Sequence, residues 1–101
     1  MFILNITFLV SDHIEEKWLN WAKEIHIPFV TSSGQLTDPQ LSRIWGESDQ
    51  EGKSFSIQYK AKNMETLNEW HKQFGDAFSK QCEQTFNQEV LFFSTVLEIL
   101  G

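Results

Sequence analysis

Three histidines, one cysteine and one tyrosine are the side chains best suited to exchange a proton or to attack an electrophile in this chain. His26 stands out among them. It follows an aromatic-bearing segment, Trp18 and Trp21 and then His26, Ile27 and Pro28. Imidazole titrates near neutral pH and serves readily as a general acid or base, so His26 is the candidate catalytic residue. The competing reading is a histidine at a helix C-terminus, hydrogen-bonded to the last carbonyls and favourably placed in the helix dipole. Tyr59 falls among apolar neighbours of the same parity, which suits a core tyrosine better than a ligand-binding phenol. Cys82 lies on an apolar helical stripe, where a thiol is buried and inert. His13, His26 and His71 are isolated, with no HxxxH and no CxxC, so no metal site is expected. No glycine-rich phosphate loop and no GxSxG elbow occurs, and no cofactor is expected.

A second group is polar rather than reactive. Asn5, Thr7, Gln58 and Ser94 fall on strand segments with apolar residues around them. Buried polar groups need partners. These four are the candidate ligand-binding residues, their partners being a small molecule, water or a second chain.

The elements that carry these residues follow from periodicity. In Phe2 to Val10, the residues Phe2, Leu4, Ile6, Phe8 and Val10 share one parity, which predicts a strand with a wholly apolar face. Asp12 and Glu15 have capping-box spacing, which predicts a helix start. Ile14, Trp18, Trp21, Ala22 and Ile25 then recur at helical spacing as its buried stripe. Pro28 is expected to end or kink this helix, with Phe29-Val30 continuing it at most for one further turn. A second strand is expected over Leu41 to Glu47, after Pro39, as an edge strand. A hairpin turn over Ser48 to Gly52 leads to a third strand, Lys53 to Ala61. Asn63 is expected to cap a second helix with the stripe Leu67, Trp70, Phe74, Phe78, Cys82 and Phe86, which Asn87 closes in a left-handed conformation. Gly75 in mid-helix suggests close packing or a kink. The last strand is expected over Val90 to Leu100.

The order strand, helix, two strands, helix, strand predicts an α+β fold. It is that of a ferredoxin-like βαββαβ unit, one domain over residues 1–101, with two helices on one face of a four-stranded antiparallel sheet. The other face is expected to hold Ile3, Leu9, Phe92 and Val96 beside the four polar residues. That face is too apolar for water and too polar for a dry core. A homodimer paired sheet to sheet satisfies it, with those four apolar residues as the expected dimer interface.

Composition narrows the function. The net charge is −6, with 14 acidic residues against 8 basic ones, and no basic cluster occurs. Nucleic acid and anionic membrane surfaces are therefore not expected partners. The single cysteine excludes an intrachain disulfide. With no basic, apolar leader pattern, this sets a cytoplasmic location as the expectation.

The chain resembles a small bacterial family of uncharacterised domains of unknown function. The resemblance runs nearly end to end. It rests on Phe2, Asn5 and Thr7 in the first strand, on Trp18-Leu-x-Trp21 leading to His26-Ile27-Pro28, on Ser56-Ile57-Gln58-Tyr59, and on Phe93, Thr95, Leu97 and Glu98. It implies the ferredoxin-like fold with dimeric α/β-barrel pairing, and no activity. One departure is visible. Relatives usually carry an acidic residue before the histidine, where Ile25 stands here, so an acid that would orient the imidazole is lost. More widely, the His26-Ile27-Pro28 segment is similar to one in dimeric α/β-barrel enzymes, among them cofactor-independent monooxygenases. Two functions follow as expectations. The first is a dimeric domain that binds a small molecule or acts as a scaffold. The second is a small monooxygenase- or isomerase-like enzyme acting on an apolar metabolite in the barrel, with His26 as acid or base.

Overall fold

Strand β1 spans Phe2–Val10, as its alternation predicts. The computed structural model describes residues 1–46 and 53–101. Strand β3, Lys53–Ala61, and strand β4, Val90–Glu98, flank β1 in antiparallel register. Strand β2, Leu36–Arg43, lies outside β3, giving the order β2-β3-β1-β4. Two strand–helix–strand connections with this order make the split βαβ arrangement of a ferredoxin-like unit.

The helical layer is made of two rods. The first begins with a 3₁₀ turn, Asp12–Ile14, and continues as α1, Glu15–Trp21. A π-turn, Ala22–His26, joins it to α2, Ile27–Thr31. The second rod is α3, Met64–Phe86. The Asn63 side chain accepts a hydrogen bond from the Thr66 backbone N–H at 2.8 Å, the expected cap. The two rods are tied where Trp70 Nε1 donates to the Val30 carbonyl at 3.1 Å.

The core lies between these rods and one face of the sheet. Leu4, Ile6, Phe8 and Val10 from β1 meet Phe55, Ile57, Tyr59 and Ala61 from β3, all buried. Leu67, Trp70, Phe78, Cys82 and Phe86 cover them from α3.

Several local expectations are corrected. The first rod opens without a side-chain cap, and Glu15 instead pairs with Arg43 at 2.6 Å. Of the two outcomes expected at Pro28, the rod does not end there, and it runs on through Phe29 and Val30 as the further turn. Pro28 has no N–H to give the preceding turn, and the widened π-turn absorbs that gap, with the Ile27 N–H reaching back to the Ala22 carbonyl. The extra residue in that turn also rotates the stripe. Ile25 is 52% exposed and His26 takes its buried place. β2 starts earlier than expected and overlaps the expected segment only over Leu41–Arg43. Pro39 falls inside it at a bulge between Thr37 and Gln40, where Asp38 has φ 53°. Glu47 and the turn expected over Ser48 to Gly52 lie outside the described residues. Asn87 has the positive φ expected, 54°, but its ψ of −129° is not that of a left-handed helix.

Candidate functional site

The π-turn decides where His26 points. It turns the imidazole inward, onto the helix-covered face of the sheet, and leaves it fully buried. Trp21 stacks on the ring at 4.6 Å between centroids. Phe78 from α3 tilts against it at 4.8 Å, and Phe8 from β1 meets it edge-on at 5.8 Å. Nδ1 lies 2.8 Å from Gln81 Oε1, an acceptor, so Nδ1 carries the proton and donates. Nε2 is then a bare lone pair, buried and without a partner. Burial in this aromatic box pulls the imidazole down to a pKa of about 4, and the Gln81 contact opposes the fall only partly. The ring is neutral at pH 7.

Two other buried polar groups share this layer without a partner, the Trp18 indole N–H and the Tyr59 hydroxyl. Burial, aided by the neighbouring Cys82, pushes the phenol well above its usual range. Burial, with Glu83 beside it, likewise pushes the Cys82 thiol up to about 12, so it is no nucleophile at neutral pH.

A surface groove of about 1020 Å³ lies nearby, lined by Ile14, Lys17, Phe86, Val90, Phe92 and neighbours. It does not reach His26. Phe86, which packs on Trp21, and Phe92, which packs on Phe8 and Phe78, form its wall. The imidazole thus stands one side chain behind the groove. Among the described residues no group of three or more potential ligands is placed to hold a metal ion.

Among the described residues no helix lies on the opposite sheet face. Asn5, Thr7 and Gln58 lie there together, because Asn5 pairs with Gln58 and Thr7 with Ser56 across β1 and β3. The Ser56 hydroxyl donates to Asn5 Oδ1 at 2.5 Å, and Asn5 Nδ2 donates to Thr7 Oγ1 at 3.4 Å. Gln40 of β2 lies opposite Gln58 and extends the polar half of the face.

Ser94, Phe92 and Val96 are not on this face. β1 and β4 pair Ile6 with Ser94, Phe8 with Phe92 and Leu4 with Val96, which places all three on the helix side. The physical reason is that both parities of β4 are apolar, so alternation cannot choose between them. Packing chooses, by setting Phe92 between Phe8 and Phe78. Ile3 and Leu9 are on the open face as expected, and their β4 neighbours there are Leu97 and Leu91, with Phe93 between. Leu91 is 59%, Phe93 56% and Leu97 41% exposed. The open face therefore has an apolar half on β4 and the rim of β1, and a polar half on β1, β3 and β2.

No helix among the described residues is long and apolar enough to cross a membrane. No curated protein matches the chain. Solved structures similar to it include an ethyl tert-butyl ether d (EthD) family protein from Bacillus halodurans, 17% identical, with a TM-score of 0.74 over 99% of this chain and 100% of that one. A dimeric ferredoxin-like protein from an uncultured marine organism is 15% identical, with a TM-score of 0.73 over 99% and 96% of the two chains. HapK from Hahella chejuensis is 11% identical, with a TM-score of 0.70 over 100% and 94%. At such identities the likeness is one of fold, and it agrees with the ferredoxin-like topology seen here. The model of a domain of unknown function, DUF4286, matches residues 1–100, and the chain belongs to that family.

Proposed function

We propose that the chain works as a homodimer, two copies meeting through their open sheet faces, and that the pair is a binding module for a small, largely apolar molecule. One observation carries this reading: Leu9, Leu91, Phe93 and Leu97 form an exposed apolar strip on a face that no element among the described residues covers. Charge supports self-association there. Each chain carries −6 overall, yet the strand pairs place Lys60 on this face, with Asp38 beside it at the β2 bulge where it accepts from the Thr37 hydroxyl, so two like-charged copies meet on nearly neutral ground. The face is large enough. Four strands of this length span roughly 30 by 20 Å, the scale of the ~800 Å² per partner of a standard interface. Two of the similar structures are described as dimeric ferredoxin-like proteins.

The polar half of the face gives the pair its binding capacity. With the apolar halves in contact, Asn5, Thr7 and Gln58 look into the space between the sheets and orient a ligand by hydrogen bonds. Ser94 has no part in it. The buried thiol of Cys82 supports a reducing, cytoplasmic setting. An acid–base role for His26 requires a cavity that the imidazole reaches, and the groove stops short of it.

Sedimentation velocity at micromolar concentration tests the pairing and is expected to return twice the chain mass. Native mass spectrometry of protein purified without stripping tests the binding, a retained small molecule being the expected result. A monomer at micromolar concentration would overturn the proposal.

A further inference from the structure

The polar half of the open face has a direction. Across β3, β1 and β4, Gln58, Asn5 and Thr95 form one row of side chains, and Ser56, Thr7 and Phe93 form the next. None of these side chains is ionisable. The Ser56 hydroxyl donates to Asn5 Oδ1 at 2.5 Å. That separation belongs to an O–H···O bond and is too short for N–H···O, so the Asn5 oxygen faces Ser56. The Asn5 amide nitrogen then faces Thr7, 3.4 Å from Oγ1. An amide nitrogen donates and does not accept. The Thr7 hydroxyl hydrogen therefore has no acceptor within this network and turns out of it. The second N–H of Asn5 is surplus in the same way, since its first is spent on Thr7.

The network thus ends in donors. In the protomer Ser56 is buried, and Asn5 and Thr7 are half-buried. A second sheet laid over them removes the water that would accept these hydrogens, and a donor left bare is costly. A two-fold partner brings the same surplus, so the second copy does not cancel it. The missing group is an acceptor. An anion would accept, but on leaving water it needs a cation beside it. Lys60, one row beyond Gln58, has Asp38 beside it at the β2 bulge, so the face offers little net positive charge. Phe93, 56% exposed and directly opposite Thr7, marks the boundary with the apolar half.

We propose that the ligand of this face is an uncharged, flat carbonyl compound of the ketone, quinone or lactone class. Its oxygen accepts from the Thr7 hydroxyl and the free Asn5 N–H, and its apolar body turns toward Phe93. The assignment rests on the homodimeric binding module proposed above and names what that module takes. Gln58, which carries both a donor and an acceptor, adapts to whatever lies beside the carbonyl.

Equilibrium dialysis of the whole chain against naphthalenes of one shape tests this, read together with the sedimentation mass. The probes are 2-acetylnaphthalene, which offers a carbonyl, 2-isopropenylnaphthalene, which has CH₂ in place of that oxygen, and 2-naphthoate, which adds a charge. The ketone is expected to bind roughly tenfold more tightly than the alkene, and more tightly than the carboxylate. Thr7→Val removes the hydroxyl and keeps the shape. It is expected to bring the ketone down to the affinity of the alkene while leaving the alkene unchanged, and Thr7→Ser is expected to restore the preference. A dimer that binds ketone and alkene alike, or prefers the carboxylate, overturns the carbonyl assignment and leaves the binding module standing. A preference that survives in Thr7→Val also overturns the assignment. A dimer that takes up none of the probes overturns both the assignment and the binding reading, and a monomeric wild type overturns the homodimer with them.

Discussion

Lowering the pH loads a proton onto a ring that has no room for it. In the unfolded chain His26 takes up that proton near its ordinary pKa of 6.5, whereas in the folded chain it does so only near 4. Between those values the unfolded state binds more protons, so acid favours unfolding. The stability that His26 contributes is present above pH 6.5, falls as the pH drops below it, and is gone by about pH 4. At 1.36 kcal/mol per pH unit the full loss is about 3 kcal/mol, most of which has gone by pH 4.5. That is a large share of the roughly 5–15 kcal/mol that a small domain has. The groups packed on the ring, Phe8, Trp21, Phe78 and Gln81, carry no charge that could offset the imidazolium. The assay is urea unfolding at pH 7.5 and 4.5, at matched protein concentration, for the wild type and for His26→Phe and His26→Gln. The carboxylates titrate alike in all three proteins, so the difference between them isolates the imidazole. The variants should lose roughly 2 to 3 kcal/mol less than the wild type across this interval. Equal losses in wild type and variants would refute the sealed, neutral imidazole.

Three further outcomes are expected. Phe93→Asp, placed in the apolar strip of the open face, should lower the sedimentation mass from dimer to monomer at micromolar concentration with the circular dichroism of the fold retained; an unchanged dimer would move the interface elsewhere. Gly75→Ala should raise stability by up to ~1 kcal/mol from helix propensity, because the Cβ would meet only the ring of the exposed His71, at 3.3 Å, which is free to swing away; a fall in the urea midpoint would show that His71 is held in place. Cys82 should react with an aromatic disulfide reagent at pH 8 at least tenfold more slowly in the native protein than in urea, given its burial and raised pKa; equal rates would place the thiol at the surface.

The residues that define the ferredoxin-like unit could be read because each obeys a single period. On the side that meets the helices β1 alternates from Leu4 to Val10 and β3 from Phe55 to Ala61, and the α3 stripe recurs every three or four residues. The failures have local causes. The π-turn inserted one residue before Pro28, and a stripe counted at 3.6 residues per turn therefore selected Ile25 in place of His26. The short run from Leu36 to Gln40 hides a strand because Asp38 and Pro39 lack β-propensity and are tolerated only at the bulge of an edge. The closed environment of His26 left no mark in the sequence, since Phe8, Phe78 and Gln81 come from elements far apart along the chain. A proline two residues after a histidine at the end of an amphipathic segment was the one available signal of the π-turn.

β4 is where local reasoning and the folded chain disagree most usefully. A strand that is apolar on both parities has the pattern of one buried on both faces. In the protomer β4 occupies an edge instead, with Leu91, Phe93 and Leu97 bare on one side and Val96 on the other. A foldable sequence has local choices that agree with its final environment. The pattern of β4 agrees with an interior position, and the described residues do not supply one. β2, at the other edge, carries the polar residues and the broken row expected of a strand meant for water. The contrast between the two edges lies in the amino acids themselves.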